Sequence, residues 1–271
     1  MKHTTTLLLA IVLSCTSVMA ETLAERLEQP LVVVLADEWD HPINKEITHA
    51  ISNYWNLNEV HYITESDYQE IPLSDNSCFL IYQKHQSVED EGTTVYSEVI
   101  RVVGFSASGK RVRNFAGAPL LWEEGEDHQL AMVIAVRMLQ DKLQFALFSE
   151  HGEAGFAYQT ERIQQKNAVV KLKKLYIAAQ DLEDELDFAS IRALYDGEVK
   201  IVDRSYIDKL ISEAPEDALY VVVNNRQTSG FTYVNTKMVI DAVDGALVYK
   251  DENMNFEPKG FDKRDFKKLA D

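Results

Sequence analysis

Apolar runs of strand length alternate along the chain with stretches in which apolar residues recur every three or four positions, the pattern of strands separated by helices. Leu31-Val32-Val33-Val34-Leu35-Ala36 predicts a buried strand. Ile43, Ile47, Ala50, Ile51 and Tyr54 then share a helical face behind Pro42, a residue suited to a first helical turn. A short strand at residues 60–63 leads into Thr64-Glu65-Ser66-Asp67-Tyr68, whose side-chain oxygens can cap a helix start, and Pro72 closes that helix. A third strand at residues 78–82 and a long hairpin, residues 99–105 and 110–115 about Ser108-Gly109, complete the unit.

The same order returns in the second half of the chain. Leu175-Tyr176-Ile177-Ala178-Ala179 opens it, and Leu186, Ala189, Ala193 and Leu194 supply the helical face, stopped by Asp196-Gly197. A strand at residues 199–202, a helix start at Asp203-Arg204-Ser205-Tyr206 closed by Pro215, and a strand at residues 218–223 follow. The last hairpin, residues 238–243 and 246–250, turns at Asp244-Gly245, where a tight turn needs positive φ. Trp55 pairs with Tyr195, Tyr68 with Tyr206 and Gly109 with Gly245 at a nearly constant separation, which predicts a duplicated unit.

Residues 127–147 form the best helix between the copies. Met132, Val136, Leu139, Leu143 and Leu147 make one stripe, broadened by Leu130, Val133, Ile134 and Met138, with Arg137, Asp141 and Gln144 on the opposite side. Residues 149–155 read as a polar hinge, and Thr160-Glu161-Arg162 echoes Ala24-Glu25-Arg26 ahead of the first strand. The expected fold class is therefore α/β, two similar β-α-β-α-β-β-β-α units with mixed sheets and flanking helices. The first spans residues 21–150 with the long closing helix, and the second spans 151–271 with a short terminal helix at 263–269. This element order, with Phe105-Ser106-Ala107-Ser108-Gly109-Lys110 and Ile240-Asp241-Ala242-Val243-Asp244-Gly245-Ala246-Leu247-Val248, resembles the small α/β domains of bacterial envelope proteins. Examples are the amino-terminal domain of the TolB type and the LpoB and CsgG lipoproteins. The resemblance implies assembly or partner binding in the envelope, and it carries over no site residues.

The amino terminus agrees with an envelope address. Lys2, an apolar run at residues 7–13 and Val18-Met19-Ala20 predict a signal peptide, residues 1–20, cut before Glu21. The run is too short to span a bilayer, so no transmembrane segment is expected. Val12-Leu13-Ser14-Cys15 offers an alternative, a lipid anchor on Cys15 that would make the protein an outer-membrane lipoprotein, although Leu13 is large for that box. Past the leader Cys78 is the only cysteine, which excludes an intrachain disulfide. With 27 basic against 44 acidic residues the net charge is -17, a surface that repels phosphate backbones and argues against a nucleic-acid partner.

The candidate ligand-binding residues gather after the two opening strands. Asp37, Glu38, Asp40 and His41 follow the first, with oxygen and nitrogen donors for a hard cation, and Asp181 and Asp184 follow the second. The competing account is that acids near a helix start stabilise its positive end and stay solvated. Trp122, in the apolar joint at residues 115–122, is a further candidate as a cleft wall between the copies. The histidines are scattered, with no HExxH, CxxC, phosphate loop or Gly-x-Ser-x-Gly setting, so no cofactor and no catalytic residue is assigned. The expected function is binding or assembly with a protein or small-ligand partner. A metal-dependent or hydrolytic enzyme using the first acidic loop is the alternative.

Overall fold

A computed structural model describes residues 23–72, 76–88, 94–105, 112–121, 128–148, 161, 164, 170–184, 186–228 and 231–270. The expected leader with Cys15, the Ser108-Gly109 turn, Trp122 and the hinge at 149–155 lie outside the described residues.

The chain forms two mixed five-stranded sheets flanked by helices. The first unit runs α1 (Leu23–Leu27), β1 (Leu31–Leu35), α2 (Pro42–Tyr54), β2 (Val60–Thr64), α3 (Glu65–Glu70), β3 (Cys78–Val88), β4 (Thr94–Phe105), β5 (Val112–Pro119) and α4 (His128–Phe148). The second runs β6 (Lys174–Ala178), α5 (Phe188–Leu194), β7 (Val199–Val202), α6 (Arg204–Glu213), β8 (Ala218–Gln227), β9 (Tyr233–Asp241), β10 (Leu247–Asn255) and α7 (Lys263–Ala270). Strand order is β2-β1-β3-β4-β5 in one sheet and β7-β6-β8-β9-β10 in the other. The opening strand is parallel to both neighbours in each, and the hairpin strands are antiparallel. Identical strand order is what duplication predicts.

Register aligns the copies residue by residue. Leu31 faces Val60 and Cys78, and Leu175 faces Val199 and Leu219. Thr64 and Asp203 are both helix N-caps, so Tyr68 corresponds to Ile207, and the tyrosine match read from sequence is off by one. Tyr68 packs on Phe79, whereas Tyr206 is exposed and stacks on Tyr176. The copies also differ at their caps. Thr64 and Asp67 form a reciprocal capping box, while Asp203 makes no side-chain cap bond.

In each unit the two crossover helices lie on opposite faces of the sheet. In the first, α2 and α4 cover one face, and Tyr68 and Ile71 of the α3 segment cover the other with Val34, Phe79, Val103 and Phe105. In the second, α7 packs on one face through Phe266 and Leu269, anchored by the buried Lys237 ammonium on Asp265 at 2.7 Å. The other face, carrying α6, meets α4 of the first unit. Met132, Val136 and Leu139 belong to one buried cluster with Ile207, Tyr220, Met238 and Ile240.

The polar side of α4 expected from its sequence therefore lies inside the protein. Asp141 is buried, and Arg137, only 4% exposed, donates to the carbonyls of Ile211 at 3.0 Å, Val243 at 2.6 Å and Ala242. Its guanidinium also sits 5.7 Å from the Tyr54 ring centroid. The β9–β10 turn lies so close to α4 that a Cβ on Gly245 would stand 2.5 Å from Cβ of Arg137, at a position with φ of 71°. Glycine is needed there twice over, for the turn and for the approach. Arg137→Ala leaves the buried carbonyls of Ile211 and Ala242 without this donor, at about 1–3 kcal/mol each before relaxation, while that of Val243 is part-buried, so a net loss of about 2–4 kcal/mol is expected. Urea unfolding followed by tryptophan fluorescence and far-UV dichroism checks this, and an unchanged midpoint would show that the clamp carries no stability.

Candidate functional site

In a sheet ordered β2-β1-β3-β4 the chain leaves β1 toward β2 and leaves β3 toward β4, in opposite directions, and a crevice opens at the carboxyl end of β1 beside the first half of β3. The first unit has a crevice of about 250 Å³ there, with walls from Val34, Leu35 and Ala36 of the β1 end, Ile43 and Ile47 of α2, Glu65, Tyr68 and Gln69 of α3, and Ile81, Tyr82 and Gln83 of β3.

Short-range bonds shape its rim. The Asn44 amide ends β1 by accepting from the Ala36 N–H at 2.8 Å and donating to the carbonyls of Ala36 at 3.0 Å and Glu38 at 2.9 Å. That folds the acidic loop back over the start of α2, where the ring Nδ1 of His41 accepts from the Ile43 N–H at 3.3 Å. Asp37 accepts from the Ser66 N–H at 2.9 Å and its hydroxyl at 2.8 Å, which ties the loop to α3 and lowers the carboxyl pKa below its ordinary value.

The sequence-proposed residues thus take separate places. Asp37 joins two elements, His41 caps a helix, and the side chains of Glu38 and Asp40 are exposed, as is Trp39 beside them at 84%. Asp181 is buried and accepts from Arg204 at 2.9 Å, while Asp184 is exposed. Among the described residues no group of three or more His, Cys, Asp or Glu side chains could hold a metal ion.

A cluster that sequence reading missed lies directly behind the crevice. His128, the first residue of α4, sits between two carboxylates, with Nδ1 on Glu46 of α2 and Nε2 on Glu98 of β4 at 3.0 Å. Lys84 of β3 reaches Glu98 at 3.1 Å. Tyr82, a crevice residue, also bonds Glu98, and its phenol pKa is raised by burial first and by Glu98 next. The two ring nitrogens point at different carboxylates, so the group cannot converge on one cation and acts instead as a clasp for the start of α4. The only cue in the sequence is a polar residue at the edge of each apolar run. Contact between positions 82 and 30 residues apart depends on the sheet.

The second unit has a related crevice of about 290 Å³, lined by Gln180, Arg204, Ile207, Asp208, Val222 and Val223. These correspond to Ala36, Glu65, Tyr68, Gln69, Ile81 and Tyr82 of the first. Its remaining wall includes Leu130, Ala131 and Ile134 of α4, so a helix of the first unit closes a crevice of the second.

Comparison with models of protein families, with curated proteins and with solved structures finds no match.

Two outcomes follow from this geometry. Desolvation lowers the His128 pKa, but the bonds to Glu98 and Glu46 outweigh it and hold the value above 6.5. The clasp therefore contributes its full stability below pH 6.5 and loses it as pH rises through the folded value. Imidazole titration by NMR should place that value above 6.5, and His128→Gln should flatten stability against pH on the alkaline side. Because Asp37 is engaged with Ser66, millimolar calcium should leave the melting temperature unchanged to within about one degree. A rise of several degrees, abolished in the Asp37→Asn, Asp40→Asn double variant, would instead assign the loop to a cation.

Proposed function

We propose that this chain is an exported binding or assembly protein of the bacterial envelope, and that it takes its ligand in the crevice of the first unit. The observation that carries the reading is the unequal fate of two equivalent crevices. One has become part of the joint between the units, with α4 as a wall, while the other keeps an aliphatic floor and a polar rim. A concave apolar floor with a few converging polar groups at a switch point suits ligand binding. The dispersal of Asp37, Asp40 and His41 into structural or exposed positions gives the enzymatic alternative no specific support.

Mass spectrometry of protein recovered from its own cells tests both parts. Export without lipidation gives an intact chain beginning at Glu21, and a diacylated or triacylated chain beginning at Cys15 would overturn the unanchored form. Under native conditions the wild type should carry an additional small-molecule mass that Ala36→Phe, which fills the crevice, loses while keeping its cooperative unfolding. A bound mass equally retained by that variant would place the ligand elsewhere.

A further inference from the structure

The two crevices differ in charge at matched positions. In the second unit the position after the helix N-cap is Arg204, and the acid after the opening strand, Asp181, pairs with it at 2.9 Å. In the first unit the same two positions hold Glu65 and Asp37. Asp37 bonds to Ser66, and among the described residues neither carboxylate has a cationic partner. Both are exposed, so solvation keeps the two acids compatible with the fold. No lysine or arginine stands among the residues that line the first crevice, whereas Glu65 does. Its floor is aliphatic, from Ile43, Ile47 and Ile81, and Gln69 and Gln83 add side-chain carbonyls that can accept from an ammonium group.

Given that the first crevice is the ligand site, we propose that it selects a small amine, an apolar body carrying a protonated amino group that meets Glu65 at the rim. An anion entering the same space would meet Glu65 with no cation among the described lining residues to offset it, so a carboxylate or phosphate ester of the same shape is rejected. The apolar body displaces water from the isoleucine floor, a contribution that does not depend on charge. Charge at the rim therefore sets which member of an isosteric series binds, and the floor sets that any member binds at all.

The test uses three probes with one skeleton, 3-phenylpropylamine, 3-phenylpropanol and 3-phenylpropionate, titrated against the full chain with the isoleucine methyl signals as readout. The amine should shift Ile43, Ile47 and Ile81 and bind more tightly than the alcohol, with the carboxylate weakest. Glu65→Gln should weaken the amine by about fivefold, the scale of an exposed ion pair, and leave the alcohol unchanged. Glu28→Gln, which removes one exposed acid outside the crevice, should change neither. Carboxylate or alcohol binding as tight as the amine, or an amine affinity equal in wild type and Glu65→Gln, overturns the amine assignment while the crevice stands as a binding site. If none of the probes moves the three isoleucine signals, the crevice itself is not a small-ligand site and both readings fall.

Discussion

The structure depends on one helix serving two sheets. α4 closes the first unit in the way α7 closes the second, yet its far side also covers the α6 face of the second sheet. A helix buried on both sides must satisfy every polar group it carries without water. α4 does so along its length: His128 on Glu46 and Glu98, Arg137 on three carbonyls of the second unit, Gln140 accepting from the Asn56 N–H at 2.8 Å, and Lys142 donating to the Gly117 carbonyl at 2.6 Å. Burial first and the nearby Lys250 next pull the pKa of the Lys142 ammonium down to about 8. Apolar packing supplies most of the contact, and these bonds fix its register. A helix free to slide would leave carbonyls such as those of Ile211 and Ala242 buried without this donor.

The two units, whose strand order is consistent with duplication, differ where α4 is shared. The second sheet can afford Ile207, Tyr220 and Ala242 on its α6 face because α4 lies against them. Among the described residues no such helix covers the corresponding face of the first sheet, which at matched positions carries Tyr68, Phe79 and Phe105. Their rings pack against one another at 5.1, 6.2 and 5.5 Å. Tyr68 and Phe105, bulkier than Ile207 and Ala242, cover there what α4 covers in the other copy. Arg101, where the second copy has the buried Met238, stays partly exposed for the same reason.

Features set by neighbours in sequence were legible before the structure. The crossover order, the Thr64 cap, the Gly245 turn and the ends of α4 to within one residue all rest on local periodicity or on local backbone geometry. The pairing of Tyr68 with Tyr206 failed because residue identity outweighed cap position, and the N-caps show the shift by one. The roles of Arg137, Lys237 and His128 were not legible, since each is a charged residue whose partners come from strands or helices distant in the chain. A buried charge looks like a solvated one until tertiary structure supplies its counter-groups. The acidic loop misled in the opposite direction. Asp37 and His41 have the donors for a cation, but each is already spent on a backbone N–H next door or across the crevice rim.

Tyr82 ties the crevice to the shared helix. Its ring lines the ligand crevice, and its phenol bonds the carboxylate that also holds His128 at the start of α4. Glu98 therefore receives phenol, imidazole and the Lys84 ammonium together, and these three donors balance one buried acid. Were the imidazole to lose its proton, one of its nitrogens would present a lone pair to a carboxylate, and the weakened contact would fall on the first turn of α4. That turn lies beside Leu130 and Ala131, which wall the second crevice. The two crevices are thus joined through a chain of direct contacts, from Tyr82 through Glu98 and His128 to α4. Ile43 and Ile47, which line the same crevice as Tyr82, also share a buried cluster with α4, so the imidazole is one of two links between the first crevice and that helix.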